Sequence, residues 1–133
     1  MTSPDLVFET ALAERLLDHA RAGAPAEVCG VLGGSEGTVT HAEPVSNIAS
    51  TPRTRYELDP AETVEAIERV EAGAEHLGFY HSHPQGPPRP SATDEAEATW
   101  PGAVYCIVSL PESRIRAWRW TGDRFDELRI ETV

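Results

Sequence analysis

The sequence predicts a single α+β or three-layer αβα domain over residues 1–133, and three observations carry that reading. The length supports one hydrophobic core: scaling relations give a folded surface of roughly 6,900 Å² against roughly 21,000 Å² unfolded, so about two-thirds is buried. Hydrophobic residues make up 40% and charged residues 25%, ordinary values for a globular chain. Segments with helical periodicity are set among strand-like segments that mostly follow one another directly, not in strict strand–helix alternation. No internal repeat, low-complexity tract or linker interrupts them.

The elements follow in order. Residues 10–22 read as a first helix, with Thr10 as N-cap, Leu12, Leu16 and Leu17 as its apolar face, and Gly23 as its stop. After Pro25, the run Val28-Cys29-Gly30-Val31-Leu32-Gly33 is apolar enough for a buried strand. Ser35-Glu36-Gly37 then turns the chain into a second strand over 38–45. Tyr56-Glu57-Leu58 reads as a short strand. Pro60 opens a second helix, in which Val64, Ile67 and Val70 recur at helical spacing. Leu77-Gly78-Phe79-Tyr80-His81 is a further strand, ended by Pro84. A proline-rich loop over 85–90 leads to a short acidic helix over 91–99, which Pro101-Gly102 break. Residues 103–110 form the most apolar strand, and 114–120 with 125–132 complete a terminal hairpin-like pair.

Composition excludes several functions. Asp and Glu total 22 against 11 basic residues, all of them Arg, for a formal net charge of −11. An acidic chain without Lys lacks the basic surface that nucleic acid or an anionic membrane requires. The acidity has two readings: a haloarchaeal cytoplasm, where molar salt shortens the Debye length to about 3 Å, or a GC-rich genome that favours Arg codons. Residues 1–8 are polar, with no basic stretch and no long apolar run, so no signal peptide is read there. No segment reaches the roughly 20 apolar residues of a membrane span, and a cytoplasmic location is expected. Two cysteines, Cys29 and Cys106, do not make a secreted disulfide framework and read as buried packing thiols.

Chemistry concentrates in His81-Ser82-His83-Pro84 and the Ser91-x-x-Asp94 that follows six residues later. At a strand end, a spacing of two puts both imidazoles on one face. Asp94, at the start of the next helix, offers a third ligand. Two His and one carboxylate leave a fourth position open for water, the pattern of a catalytic zinc site, although iron and manganese accept the same ligands. A plainer reading competes: Ser91 and Asp94 also match a helix capping box with no metal involved. That reading leaves unexplained why two histidines end an apolar strand.

The pattern His81-x-His83-Pro84-x6-Ser91-x2-Asp94 resembles the signature of the JAMM (MPN+) metalloproteases, with no position displaced. That family also carries a Glu beside a buried strand, and Glu27-Val28-Cys29-Gly30-Val31-Leu32-Gly33-Gly34 is similar to that element. The element order resembles a minimal single-domain member, so the likeness covers nearly the whole chain. It implies a cytidine deaminase-like MPN fold, with a mixed central sheet flanked by helices. It implies one zinc ion held by His81, His83 and Asp94, with Glu27 as general base and Ser91 as oxyanion donor. Zinc would polarise the scissile carbonyl and acidify its water.

The resemblance also implies a substrate. Relatives hydrolyse isopeptide bonds after the C-terminal Gly-Gly of ubiquitin-like proteins, and a single-domain acidic chain looks most like members that remove small archaeal modifiers. Lysine conjugates and linear fusions are both expected substrates. One departure stands out: only Trp100-Pro101-Gly102 separates the short helix from the next strand, so the long insertion of eukaryotic members has no room. Broad specificity is expected over linkage-specific cleavage. Two alternatives stay open, a peptidase acting on a ThiS/MoaD-like sulfur carrier and a non-catalytic MPN scaffold. Arg89 reads as a solvated loop residue with a possible substrate contact, Trp118 and Trp120 as one buried strand face, and His19, His41 and His76 as unpartnered surface residues.

Overall fold

Residues 3–133 are described by the computed structural model, and their apolar side chains sort onto the two faces of one sheet. The elements are β1 (Leu6–Phe8), α1 (Thr10–Gly23), β2 (Cys29–Ser35), β3 (Thr38–Val45), α2 (Pro60–Glu71), β4 (Glu75–His83), α3 (Ala92–Glu97), β5 (Val104–Ser109), β6 (Arg114–Trp120), β7 (Phe125–Leu128) and β8 (Ile130–Thr132). The sheet has eight strands in the order β7-β6-β5-β4-β2-β3-β1-β8. It is mixed: β4–β5, β1–β3 and β1–β8 run parallel, the other pairs antiparallel.

Side chains alternate across a strand, so each face builds its own core. Leu12, Leu16 and Ala20 of α1 pack with Leu32, Tyr80, Cys106 and Val108 on one face. Ala66 and Val70 of α2 pack with Val31, Phe79, Tyr105 and Trp120 on the other. Helix, sheet and helix make the expected three layers. Gly30 fits this packing by having no side chain, since a Cβ there would collide with the Tyr80 ring and the Glu43 carbonyl. The β2–β3 hairpin turns at Glu36 and Gly37, whose φ of 50° and 79° give the left-handed pair that tight hairpins favour.

Several expectations change. Thr10 is the first helical residue, not the cap; Glu9 is the N-cap and makes no side-chain cap bond, while the Thr10 hydroxyl donates to the Val133 carbonyl. Residues 56–58 form no strand: only Leu58 makes an isolated bridge, to Asn47. Val64 is 57% exposed, because α2 turns Ala66 and Val70 inward instead. β1 is an additional strand, too short at three residues for periodicity to register. The segment 125–132 splits. β7 pairs with β6, but after Arg129 the chain continues as β8 beside β1, at the far end of the strand order. One residue spans the two ends, so the sheet curls until they meet.

The site follows from one connection. Parallel strands cannot be joined by a tight turn, so β4 reaches β5 through a crossover. That crossover carries the proline-rich loop and α3 over the C-terminal end of β4, where His81 and His83 lie.

Candidate metal centre

Each chemical side chain is placed by a nameable constraint. His81 and His83 lie on the same face of β4 as Phe79, by strand alternation. Glu27, 7% exposed, precedes β2 and is brought alongside by Ser82. The Ser82 amide donates to the Val28 carbonyl at 3.0 Å, and the Ser82 hydroxyl accepts from the Val28 amide at 2.8 Å. The Glu27 amide donates to Pro52 O at 2.7 Å, and its carbonyl accepts from the Asn47 side chain at 2.9 Å. Asp94 is the third residue of α3. Ser91 and Asp94 form the reciprocal capping box: the Ser91 hydroxyl accepts from the Asp94 amide at 3.0 Å, and Asp94 Oδ2 accepts from the Ser91 amide at 2.9 Å.

The cap and the ligand cluster are the same structure. Asp94 Oδ2 lies 3.1 Å from His81 Nε2 and 3.0 Å from His83 Nε2, and the two nitrogens are 3.2 Å apart. Tetrahedral zinc with bonds of about 2.0–2.1 Å has ligands about 3.3 Å apart, so the triangle matches one face of such a site. A carboxylate oxygen of Glu27 and the ligand atoms of both histidines fall within 4.8 Å of one another.

Proton counting favours a cation there. His83 Nδ1 donates to the Pro87 carbonyl at 2.8 Å, which leaves Nε2 of the neutral ring as a lone pair. That lone pair faces a carboxylate oxygen and a second imidazole nitrogen. A proton can relieve one of these contacts; a divalent cation relieves all three. Glu27 Oε1, beside the triangle, is buried with no hydrogen-bond partner among the described residues.

The electrostatics separate the roles. Burial pushes the Glu27 carboxyl up to about 7, with nearby Asp94 raising it further and His83 opposing. Asp94 goes the other way. Burial would raise it, but hydrogen bonds from His81 and His83 hold it well below the usual carboxylate range. Burial lowers His81, keeping its imidazole neutral as a ligand requires. Burial also opposes charge on His83, but its bonds to Asp94 and Pro87 O leave it raised. One carboxylate is therefore ionised and fixed, while the other exchanges a proton near neutrality.

The proline-rich loop is pinned. Three successive carbonyls accept from three strands: Gly86 O from Ser109 Oγ at 2.7 Å, Pro87 O from His83, and Pro88 O from Trp118 Nε1 at 3.2 Å. A cleft of about 420 Å³ opens between this loop and residues 53–54, with Glu27, His83 and Ser91 in its wall. A second cleft, of about 340 Å³, is lined by Tyr56, Phe79, Trp100 and Tyr105.

All five expected site residues come together here: Glu27, His81, His83, Asp94 and, exposed at the rim, Ser91. Four supporting residues escaped the sequence reading. Tyr56 stacks on His81 with centroids 4.2 Å apart and planes at 19°. Asn47 uses its whole amide, donating to Glu27 O and Arg55 O and accepting from the amides of Ala49 and Glu57. Ser82 and Ser109 complete the set. No local pattern marks any of them, because the contact that ties each to the site is made across the fold, as Asn47 to Glu27 O and Tyr56 to His81 are.

The other expectations divide. Cys29 and Cys106 are free and buried. Cys29 pairs in register with His81, while Cys106 pairs with Tyr80 and belongs to the α1 core, so the thiols sit on opposite faces. Burial pushes the Cys29 thiol up to about 12, and its Sγ donates to Val45 O at 3.4 Å. Trp120 is buried, but Trp118 is only half-buried because its indole serves the loop. His19, His41 and His76 are half-buried and partnered, by Tyr80 OH, Thr40 Oγ1 and Gly78 O.

A curled mixed sheet between helices, with two strand-end histidines and a helix-borne Asp over it, defines a class. Over residues 9–121 the chain matches the family of prokaryotic homologs of the JAB domain, and it belongs to that family. It is 53% identical to the desampylase of Haloferax volcanii, over 98% of each chain. It is 37% identical to the CysO-cysteine peptidase of Mycobacterium tuberculosis, over 96% of this chain and 91% of that one. The solution structure of a Desulfitobacterium hafniense protein superposes with a TM-score of 0.87 at 33% identity, covering 96% of this chain and 92% of that one.

Proposed function

We propose that residues 1–133 act as one zinc-dependent isopeptidase domain that hydrolyses the bond after the C-terminal Gly-Gly of ubiquitin-like modifiers, in lysine conjugates and linear fusions alike. The observation that carries the reading is the 3.0–3.2 Å triangle of His81 Nε2, His83 Nε2 and Asp94 Oδ2, with the unpartnered Glu27 carboxylate beside it. The 53% identity to a desampylase over nearly the full chain supports the substrate class.

His81, His83 and Asp94 would hold the zinc, which when bound supplies a Lewis acid that polarises the scissile carbonyl and acidifies water. Glu27 takes the proton of the attacking water and delivers it to the leaving amine. A carboxyl near neutrality is matched to accepting and then releasing a proton. The Ser91 hydroxyl accepts from the Asp94 amide through its oxygen, so its own O–H is free to donate to the developing oxyanion. Asp94 stays ionised throughout. The pinned loop holds His83 through Pro87 O.

Among the described residues, no helix is long and apolar enough to cross a membrane. We place the enzyme in the cytoplasm of a salt-adapted host, a reading supported by the −11 charge and by the haloarchaeal source of its relative. A second reading, removal of a single amino acid from a sulfur-carrier protein, draws on the 37% identity to a CysO-cysteine peptidase. The test is cleavage of two substrates by the zinc-loaded protein, a modifier joined to a lysine ε-amine and a modifier carrying one C-terminal cysteine. Rapid, chelator-sensitive cleavage of the first supports the isopeptidase; exclusive cleavage of the second overturns it.

A further inference from the structure

The charge balance of the molecule inverts in the cleft beside Glu27. Across the chain, acids outnumber arginines 22 to 11. Five arginines are held by carboxylates at 2.8–3.7 Å, as Arg55 is by Glu97. Arg15 and Arg119 donate to backbone carbonyls. Arg53 and Arg89, like Arg114 at the start of β6, are exposed with no partner among the described residues, and these two stand together in the 420 Å³ cleft beside Glu27 and Ser91. That cleft holds two arginines against a single carboxylate, Glu27. With two acids available per arginine, two unpaired guanidinium groups in one cleft mark a place where a carboxylate is brought from outside.

The position says which part of a substrate arrives there. Resting on the proposed isopeptidase function, Glu27 must stand beside the amine it protonates, so the leaving side of the scissile bond occupies the cleft that Glu27 and Ser91 line. The apolar cleft of Tyr56, Phe79, Trp100 and Tyr105 contains neither residue. We infer that Arg53 and Arg89 form a specificity subsite for acidic side chains flanking the target lysine. An Arg fork pairs with a carboxylate through two parallel hydrogen bonds, a contact that selects carboxylate over amide. A direct contact of this kind persists when salt screens longer-range attraction.

The test uses the zinc-loaded full chain and modifier–Gly-Gly conjugates on the lysine of three amidated target peptides, with Asp, Asn or Arg on both sides of that lysine. Exposed ion pairs are worth little each, so kcat/KM should be about fivefold higher for the Asp peptide than for the Asn peptide, with the Arg peptide slowest. R53Q/R89Q should flatten the order and R53E/R89E should reverse it, with zinc content and melting temperature matching the parent. No dependence on flanking charge in the parent overturns the inference, as does an equal slowing of all three substrates in the variants. A fourth conjugate carries a free α-carboxylate on the leaving residue; a preference confined to it assigns the arginines to a terminal carboxylate and also overturns the acidic-target reading. If no conjugate is cleaved, the functional reading fails separately. Calorimetric binding of the three free peptides then decides the arginine subsite, tighter binding of the Asp peptide supporting it and equal binding overturning it.

Discussion

Glu27 is the residue at which the proposed function and stability conflict. Its carboxyl is buried without a hydrogen-bond partner for Oε1, and burial pushes it up to about 7. In the metal-free protein the folded state therefore binds this proton more tightly than the unfolded state. The contribution to stability is fully present below the unfolded value near 4.5 and is lost as pH rises through about 7. Glu27→Gln removes that loss, so metal-free E27Q should be more stable than metal-free parent at pH 8 by about 2–3 kcal/mol and equal to it at pH 4. Denaturant melts at the two pH values check this. The same variant should retain zinc, by elemental analysis, while kcat falls about 10²–10⁴-fold. Asp94 behaves oppositely, since its bonds from His81 and His83 lower it and stabilise the ionised form.

At the scale of elements, α3 is only six residues long and owes its start to the Ser91–Asp94 box. Ser91→Ala removes the acceptor for the Asp94 amide and should cost about 1 kcal/mol, whereas Ser91→Gly costs a few tenths. Equal loss of kcat in both variants, against unequal loss of stability, would separate the hydroxyl's chemistry from its capping. The loop offers a second test. Ser109→Ala and Trp118→Phe release Gly86 O and Pro88 O, on either side of the carbonyl that orients His83. Together they should weaken zinc affinity about tenfold or more, measured by competition with a chromophoric chelator, because partners that orient a ligand set its affinity.

For the whole molecule, −11 charges on a surface of 7036 Å² repel one another, and the ion pairs that relieve them are exposed. Screening that repulsion should raise the denaturant midpoint steadily between 0.1 and 2 M NaCl. A midpoint independent of salt would assign the acidity to codon usage. The modifiers of a salt-adapted host would be acidic too, so kcat/KM should rise with salt over the same range. The curled sheet gives this thin domain two cores instead of one, and α1 and α2 seal opposite faces.

Legibility in the sequence followed the range of the interactions. Helices α1 and α2, the β2–β3 hairpin and the apolar strand β5 could be read because periodicity, Pro60 and Ser35-Glu36-Gly37 act within a few residues. The chemistry was legible for a related reason: His81, His83, Ser91 and Asp94 fall at the end of β4 and in the crossover that follows it, so their spacing is written in a single stretch. What tertiary structure decided lies beyond that range. Glu27 meets the histidines only because Ser82 ties β4 to Val28, 54 residues away. Tyr56 left its expected strand to stack on His81, and β8 left β7 to close the sheet beside β1. The sequence alone determined which candidate ligands this protein offers; packing between distant segments decided that they face one another with a buried carboxylate and two unpaired arginines alongside.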